Sequence, residues 1–329
     1  MEYDVRQYRP SDEEGVLEVL GLALPSQHWD TPQLWRWKHF ENPFGESIIA
    51  VAESSEGKII GVTGWMKWRL QCGEAIFIAN RIVDTATHPD FQRRGVFSRL
   101  TKLAEASARA DGIDLSFGTP NDESCPGFLK LGWAIADTRG KQLRLLRPFS
   151  AVTHAIGDGL SILKGEWAAD PDGFTRIDSF LRMPGLERLT GISRCEPTTL
   201  HTQKSLAYLK WRYLNTTISN YYAVTSVTRG DIEAALIVRL ASLRGMRLIL
   251  IEELLTEDQG AVDKLVDKVS GLGADLVRAH FSAGSANWTA LKQAGFKSDP
   301  SRTQLLIVKA FDFDRPNRVC FSLGDIELL

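Results

Sequence analysis

The spacing of apolar residues alternates between helical and strand periods along the first half of the chain. Acidic residues ahead of an apolar run predict a helix over residues 11–24. Thr31-Pro32 supplies an N-cap and a first-turn proline, which predicts a second helix over 33–41. Two glycine turns then separate three extended stretches, which are predicted strands at 47–53, 58–70 and 75–87.

Helices and strands alternate in the stretch that follows. Helical spacing of Leu100, Leu103 and Ala104 predicts a helix over 98–110. A buried strand is expected at 113–118, a helix at 124–131 and closing antiparallel strands over 134–146. The order α-α-β-β-β-α-β-α-β predicts an α/β fold built on a mixed sheet.

The second half of the chain resembles the first. "LWRWKHFENPFGESIIAVAE" (34–53) is similar to "YLKWRYLNTTISNYYAVTS" (208–226), which aligns Trp37 with Trp211. "FLKLGW" (128–133) is similar to "LKQAGF" (291–296). Helix-then-strand segments can look alike by chance, but two landmarks in the same order favour a duplicated fold.

Glycine, proline and aspartate become frequent in the middle of the chain, at "GDG", "ADPDG" and "RMPG". Such stretches are typical of a domain boundary. We therefore expect a first domain at 1–150, a connecting region at 151–200 and a second, degenerate copy of the first domain at 201–329.

Composition and charge narrow the classes of partner. The 329-residue chain has 43% hydrophobic residues and a net charge of −2, which is ordinary for a globular protein and argues against a nucleic-acid binder. Four widely spaced cysteines suggest neither a metal site nor a disulfide framework. Without a signal-peptide pattern or a long apolar run, the sequence predicts a cytoplasmic protein with no membrane association. The oligomeric state stays open, with a homodimer as one alternative.

The stretch "THPDFQRRGVFSRL" (87–100) lies where a predicted strand ends and a helix begins. The first amides of a helix are unsatisfied donors with partial positive charge, which makes them a seat for phosphate. Gly95 lets a ligand approach the backbone, and Arg93 and Arg94 add positive charge. An isolated basic turn is commonly only solvated, but this position favours a pyrophosphate site. The P-loop and dinucleotide-binding glycine motifs are both missing from the sequence.

A family resemblance follows from this motif. "VDTATHPDFQRRGVFSRL" (83–100) resembles the acetyl-CoA-binding motif of the GNAT (Gcn5-related N-acetyltransferase) superfamily, with Gln92 and Gly95 at its key positions. "NDESCPGFLKLGW" (121–133) resembles the second landmark of that family. The resemblance covers residues 2–148, and the tandem plan is similar in architecture to the enhanced-intracellular-survival acetyltransferases. Phe97 departs from the pattern, because most members have glycine or alanine there.

The resemblance implies an α/β fold with a mixed, mostly antiparallel central sheet flanked by helices. It also implies an N-acetyltransferase that uses acetyl-CoA as co-substrate and needs no metal. An amine of a small molecule, such as an amino sugar, would attack the thioester directly in a ternary complex. The backbone near Thr85 would contact the pantetheine arm and polarise the thioester, the turn before the helix would hold the pyrophosphate, and Asn121 would bind the pantetheine. The implied cofactor-binding residues are Thr85, Ala86, Thr87, Gln92, Arg93, Arg94, Gly95, Val96, Phe97, Ser98, Asn121 and Phe128.

The proton donor and acceptor are less defined by the sequence. An amine must be neutral to attack, so a general base is expected, and Asp84 is the first candidate. Asp84 could equally be a buried structural carboxylate paired with Arg81 or Asn80. Phe128 stands where many family members carry a tyrosine acid, and phenylalanine cannot donate a proton. A CoA-binding pseudoenzyme and a protein-amine acetyltransferase are therefore alternatives.

The second copy lacks the basic turn. Its strand at 246–255 leads into "LTEDQGAVDKL", where Glu257 and Asp258 put negative charge at the place of the phosphate. Two carboxylates near a phosphate would oppose binding by roughly a kcal/mol each. We therefore expect the second copy to bind no CoA and to complete the acceptor pocket, with residues 325–329 returning towards that pocket.

Overall fold

The first half of the chain forms a twisted sheet covered by helices. The computed structural model describes residues 2–24, 31–146, 167, 171–190, 199–216, 220–243, 246–256, 258–311 and 318–326. The elements of the first half are β1 (Tyr3–Gln7), α1 (Glu13–Ala23), α2 (Pro32–His39), β2 (Ile48–Ser54), β3 (Ile59–Cys72), β4 (Ala75–Thr87), α3 (Val96–Ala110), β5 (Leu115–Gly118), α4 (Cys125–Lys130) and β6 (Ala134–Leu145).

The helices and inner strands of this half confirm the sequence predictions. The Thr31 hydroxyl accepts from the Leu34 N–H at 3.3 Å, so α2 begins with the expected cap. Strand β4 has the predicted bounds. Strand β1 was not predicted, because this edge strand has no fully buried residue and therefore no apolar run. The stretch 134–146 forms one strand rather than several.

The second half repeats this succession of elements. They are β7 (Thr175–Arg176), α5 (Ile177–Phe180), α6 (Leu186–Thr190), β8 (Thr199–Thr202), α7 (Leu206–Leu209, continued by a π-turn at Lys210–Leu214), β9 (Tyr221–Thr228), β10 (Asp231–Leu243), β11 (Met246–Leu255), α8 (Gln259–Gly271), β12 (Leu276–Ser282), α9 (Ala286–Gln293), β13 (Lys297–Ala310), β14 (Arg318–Cys320) and α10 (Leu323–Ile326).

The strands join into one sheet, in the order β1-β2-β3-β4-β5-β13-β6-β12-β11-β10-β9-β7. Neighbours are antiparallel on this path except for the pairs β4–β5 and β11–β12, one in each half. The mixed, mostly antiparallel sheet confirms the predicted fold class.

The two halves exchange one strand each. Strand β13, from the second half, pairs with β5, where Ala310 lies opposite Leu115. Strand β6, from the first half, pairs with β12, where Leu145 lies opposite Leu276. The domain division at 1–150 and 201–329 stays a prediction, but a boundary at residue 150 separates β6 from both of its neighbours. Within the connecting region, residues 171–190 fold onto the second half through β7 and β9; most of the remainder is outside the described residues.

Hydrogen bonds at equivalent positions show that the two halves are related. Asp114 accepts from the Ile78 N–H at 2.7 Å, and Asp275 accepts from the Arg247 N–H at 2.8 Å, each between the parallel strands of its half. Trp37 and Trp211, the aligned tryptophans, contact each other. Each indole N–H donates to the backbone carbonyl of the other residue at 2.9 Å, and the rings stack with centroids 4.8 Å apart. These reciprocal bonds place an approximate twofold axis between the two residues.

One of the hydrophobic core clusters spans both halves. It contains Trp35, Trp37 and Phe117 from the first half, and Trp211 and Phe321 from the second. No helix in the described part of the chain is long and apolar enough to cross a membrane. Within that part, no three His, Cys, Asp or Glu side chains are placed to hold a metal ion.

Candidate functional site

A gap opens in the sheet where β4 extends past β5. The pairing of β4 with β5 covers Ala79–Ile82 and Leu115–Gly118, whereas the pairing of β4 with β3 continues to Thr87. The edge of residues 83–87 therefore has no β5 neighbour. The predicted pantetheine-binding residues Thr85, Ala86 and Thr87 lie on this edge. The Ala86 side chain is buried in the core, so only its backbone can contact a ligand.

A β-bulge interrupts β4 at the start of this gap. The register between β3 and β4 shifts between Val62 and Gly64, where Asp84 and Thr85 lie opposite Thr63. Asp84 has a φ of 45°, in the left-handed region. The Thr85 and Thr63 hydroxyls lie 2.8 Å apart, and the Trp65 indole N–H donates to Thr63 at 3.0 Å. The bulge is thus attached to the core on the β3 side.

The basic turn connects β4 to α3 and is exposed. Arg93 has a φ of 59° and Gly95, the N-cap of α3, a φ of 82°. No side chain caps this helix, so its first amides keep their donor capacity for a ligand. Residues 92–95 are all exposed. An uncapped helix start beside left-handed turn residues is the usual geometry of a backbone anion site.

Strand β1 supports the turn, which the sequence did not indicate. The Tyr3 hydroxyl donates to the Arg94 carbonyl at 3.0 Å, and the Arg99 guanidinium lies 4.5 Å from the centre of the Tyr3 ring. Tyr3 is 91 positions from Arg94, so no local pattern could reveal the contact.

Gly61 lets α3 approach the sheet, because an added Cβ would lie 2.7 Å from the Val96 side chain. Val96 is therefore in the core and offers only its amide.

Helix α4 completes the site region through aromatic contacts. The rings of Phe97 and Phe128 meet edge to face with centroids 4.9 Å apart, and Gly127 leaves room for the Phe97 ring. Phe128 is 4% exposed and also contacts Trp133. Its side chain belongs to a core cluster, so its predicted contact with the cofactor stays a prediction.

Most of the predicted cofactor-binding residues lie in one place. Residues 92–98 form one continuous turn and helix start, and the Phe97 ring connects them to Phe128. Asn121 is exposed, and its side-chain oxygen accepts from the Ser124 N–H at 2.8 Å, which satisfies the start of α4. Its predicted bond to a pantetheine arm stays a prediction.

Asp84 belongs to a buried cluster with Lys38 and His39. Its carboxylate accepts from Lys38 Nζ at 2.9 Å and lies 2.8 Å from His39 Nε2. The three side chains are at most 1% exposed. The suggested pairing of Asp84 with Arg81 or Asn80 was therefore wrong, because the side chain turns towards α2.

Burial and charge set the protonation of this cluster. Burial alone would raise the pKa of Asp84, but the Lys38 ammonium and the His39 bond outweigh it and lower the pKa to about 2. Burial lowers the pKa of Lys38 to about 8 against the attraction of Asp84, and burial also lowers the pKa of His39. A carboxylate with such a low pKa is a weak base at neutral pH. The general-base role of Asp84 stays a prediction.

The second half has an equivalent gap between β11 and β12, beyond Ile251 and Ala279. The C-terminal segment, residues 321–325, fills it. The Ser282 N–H donates to the Phe321 carbonyl at 3.1 Å, and the Phe321 N–H donates to the Ser282 hydroxyl at 3.0 Å. Gly324 lies against Tyr213 and Glu253.

The start of α8 is also satisfied within the chain. Asp258 caps it by accepting from the Ala261 N–H at 2.7 Å, whereas the equivalent start of α3 has no side-chain cap. Glu257, the other predicted carboxylate, is outside the described residues, as are residues 327–329. Asp325 lies 3.5 Å from Lys204, and the Ile326 carbonyl accepts from the Arg81 guanidinium of β4. The return of residues 325–329 towards the acceptor pocket stays a prediction.

The matching family model describes an acetyltransferase (GNAT) domain and covers residues 4–136. These residues form a GNAT domain. The GNAT domain predicted for the first half of the chain is therefore confirmed for residues 4–136. No curated protein matches the sequence.

Several solved structures share the fold of the whole chain. A probable N-acyltransferase of unknown function from Enterococcus faecalis V583 has a TM-score of 0.67 at 10% identity. A GCN5-related N-acetyltransferase from Anabaena variabilis ATCC 29413 has a TM-score of 0.67 at 12% identity. Eis1 from Mycobacterium abscessus has a TM-score of 0.58 at 12% identity. Each comparison covers 94% of this chain and 73% of the other. The GNAT fold therefore extends over both halves.

Proposed function

We propose that this GNAT protein transfers an acetyl group from acetyl-CoA to the amine of a small molecule, by direct attack in a ternary complex. The observation that carries the proposal is the uncapped start of α3 behind the exposed turn Gln92–Gly95. Acetyl-CoA, when bound, supplies the thioester carbonyl that the amine attacks.

The turn would hold the pyrophosphate. The amides of Arg94 to Ser98 point out of an uncapped helix start, and anions are stabilised at such a position. The exposed side chains of Arg93 and Arg94 add positive charge beside it. Gly95 has no Cβ to separate its amide from a phosphate oxygen. These groups fit the diphosphate of CoA without a metal.

The unpaired edge of β4 would hold the pantetheine arm. Backbone groups of Thr85 to Thr87 have no β5 neighbour and are available to an extended ligand. A backbone donor directed at the thioester oxygen stabilises charge that develops during attack, and such a donor is typically worth about 3 kcal/mol. The bulge at Asp84, at the start of this unpaired edge, supports the proposal.

The acceptor is proposed only as a small-molecule amine. Four tryptophans of the first half are at most 2% exposed and therefore offer no stacking surface to a sugar: Trp35, Trp37, Trp65 and Trp68. An amino sugar is therefore one member of a test panel. We also propose that the second half binds no CoA, which is supported by the Asp258 cap and by the C-terminal segment in its gap.

Turnover tests this function. We expect the chain to release CoA from acetyl-CoA in the presence of at least one member of a panel of amino sugars, polyamines and small aliphatic amines. Gly95→Glu, which puts a bulky anion in the phosphate position, should lose most of this activity. Gly112→Glu is the matched control, because Gly112 is also an exposed left-handed glycine, at the other end of α3, with no atom within 4 Å of an added Cβ.

Three results would count against the proposal. Turnover only with lysine-containing peptides would favour a protein-amine acetyltransferase. Tight acetyl-CoA binding without turnover of any amine would favour a CoA-binding pseudoenzyme. Equal activity of the Gly95→Glu and Gly112→Glu variants would show that the turn does not hold the pyrophosphate.

A further inference from the structure

We infer that Lys38, His39 and Asp84 form a positioning cluster for acyl transfer, which holds the left-handed bulge of β4 in the conformation that presents its backbone to the thioester. This inference rests on the proposed function. It assigns Asp84 a role through the backbone of β4 rather than through proton transfer.

The backbone of Asp84 needs external support. Left-handed conformations are unfavourable for residues with a Cβ and persist where the surroundings impose them, often at functional sites. Among the described residues, the non-glycine residues with positive φ are Asp84, Arg93 and Arg229. Arg229 lies in a hairpin turn, whereas Asp84 and Arg93 lie at the two ends of the proposed acetyl-CoA site. The strained backbone thus coincides with the site.

The cluster holds Asp84 from two directions. Lys38 Nζ is 2.9 and 3.1 Å from the two carboxylate oxygens, and His39 Nε2 is 2.8 Å from one of them. The His39 ring is fixed in turn by the Ser47 hydroxyl, 2.9 Å from Nδ1. Gly64 is required by this arrangement, because an added Cβ would lie 2.5 Å from the His39 ring.

The second half contributes to this support. Lys38 and His39 directly follow Trp37 in α2, and Trp37 is bonded to Trp211 of the second half. The position of α2, and with it the carboxylate of Asp84, therefore depends on contacts between the halves. This gives the second half a role in the reaction that does not require it to bind a cofactor.

The equivalent place in the second half provides an internal comparison. Glu253 lies on β11 as Asp84 lies on β4, and Tyr213, which aligns with His39, donates to it at 2.8 Å. The buried carboxylate and its partner from the preceding helix are therefore kept. Glu253 does not have a positive φ. The left-handed bulge is found in the half that carries the basic turn.

The charges of the cluster agree with a positioning role. The lowered pKa keeps the Asp84 carboxylate ionised down to a pH far below neutral, and both of its oxygens are bonded. It therefore has little capacity to take a proton from an amine. Arg81, also in β4, adds positive charge near Lys38. A structural carboxylate that fixes the backbone needs no access to the substrate, which fits its burial.

Substitutions that differ in backbone freedom separate the two roles. Asp84→Gly and Asp84→Asn favour the left-handed conformation, whereas Asp84→Ala does not, and all three remove the carboxylate. Each is combined with Lys38→Met, so that no variant keeps the buried ammonium after its partner carboxylate at position 84 is removed. The His39 ring loses the same carboxylate in all three, which makes them matched controls for one another.

We expect kcat of K38M/D84G and K38M/D84N to exceed that of K38M/D84A by about tenfold, or about 1.4 kcal/mol in activation free energy. The KM for acetyl-CoA should stay within about threefold in all three, because the turn at 92–95 is unchanged. The pH–rate profiles should keep the same limbs. Crystal structures should show a positive φ at residue 84 in the glycine and asparagine variants only.

Equal and severe losses of kcat in all three variants, with one limb of the pH profile missing, would overturn the inference and make Asp84 the base. The inference would also be overturned if K38M/D84G kept the bulge and K38M/D84A lost it, and the two variants nevertheless had equal kcat values. A parent chain that neither binds nor turns over acetyl-CoA would instead overturn the proposed function, and the inference with it.

Discussion

Replacing Trp37 by phenylalanine tests whether the two halves form one folding unit. Trp37 and Trp211 are 1% and 2% exposed, and each indole N–H donates to the carbonyl of the other at 2.9 Å. Trp37→Phe takes the indole donor away from a buried carbonyl, which costs about 1–3 kcal/mol. The reduced ring contact adds on the order of 1 kcal/mol. We therefore expect a loss of about 2–4 kcal/mol in the free energy of unfolding.

Trp133→Phe is the matched control. The Trp133 indole donates to Glu105 at 2.9 Å, but this carboxylate is 15% exposed and also accepts from Lys309. Solvent and Lys309 can satisfy Glu105 after the substitution, so the hydrogen-bond part of the cost should be at most about 1 kcal/mol.

Urea unfolding, followed by tryptophan fluorescence and by far-ultraviolet circular dichroism, measures both variants. Because the halves exchange β6 and β13 and share one core cluster, we expect both probes to report a single transition that Trp37→Phe moves to lower urea. The reasoning would be refuted by two separate transitions of which only one moves. A loss below about 0.5 kcal/mol for Trp37→Phe would refute it too.

Two further substitutions test the site region and the C-terminal segment. Phe128→Tyr should leave kcat unchanged or raise it, because phenylalanine donates no proton; a severe loss of turnover with unchanged acetyl-CoA affinity would show that the ring shapes the acceptor pocket. Gly324→Ala should destabilise the fold by about 1–3 kcal/mol, because the added Cβ would overlap the Tyr213 hydroxyl and the Glu253 carboxylate. Gly21→Ala, with no atom within 4 Å of the added Cβ, should be neutral or stabilising by about 0.5–1 kcal/mol, and equal thermal midpoints for the two variants would contradict the described packing.

Local rules account for the parts of the fold that were predicted correctly. The Thr31 cap and the bounds of β4 each depend on neighbouring residues, so the sequence around them contains the necessary information. The basic turn was found for the same reason. Its chemistry comes from a helix start, a glycine and two arginines that are adjacent in the chain. Helix α3, predicted from residue 98, begins two residues earlier, at Val96.

Contacts between distant segments were not predictable in the same way. Apolar spacing predicts the strand β6, but both copies offer the same kind of edge, so the spacing does not show which half this strand joins. Asp84 was given partners from its own strand, whereas its actual partners come from α2, 46 and 45 residues away. The repeat aligned Trp37 with Trp211, but alignment identifies equivalent residues and does not reveal that they touch.

Calorimetric titration of acetyl-CoA into the intact chain tests the central claim most directly. We predict one equivalent bound per chain, with the affinity largely lost in Gly95→Glu and retained in Gly112→Glu. The account would be contradicted by unchanged affinity in a folded Gly95→Glu variant, which would remove the turn from the site. Two equivalents per chain, with the second abolished by changes around residues 257–260, would contradict it by showing a cofactor site in the second half.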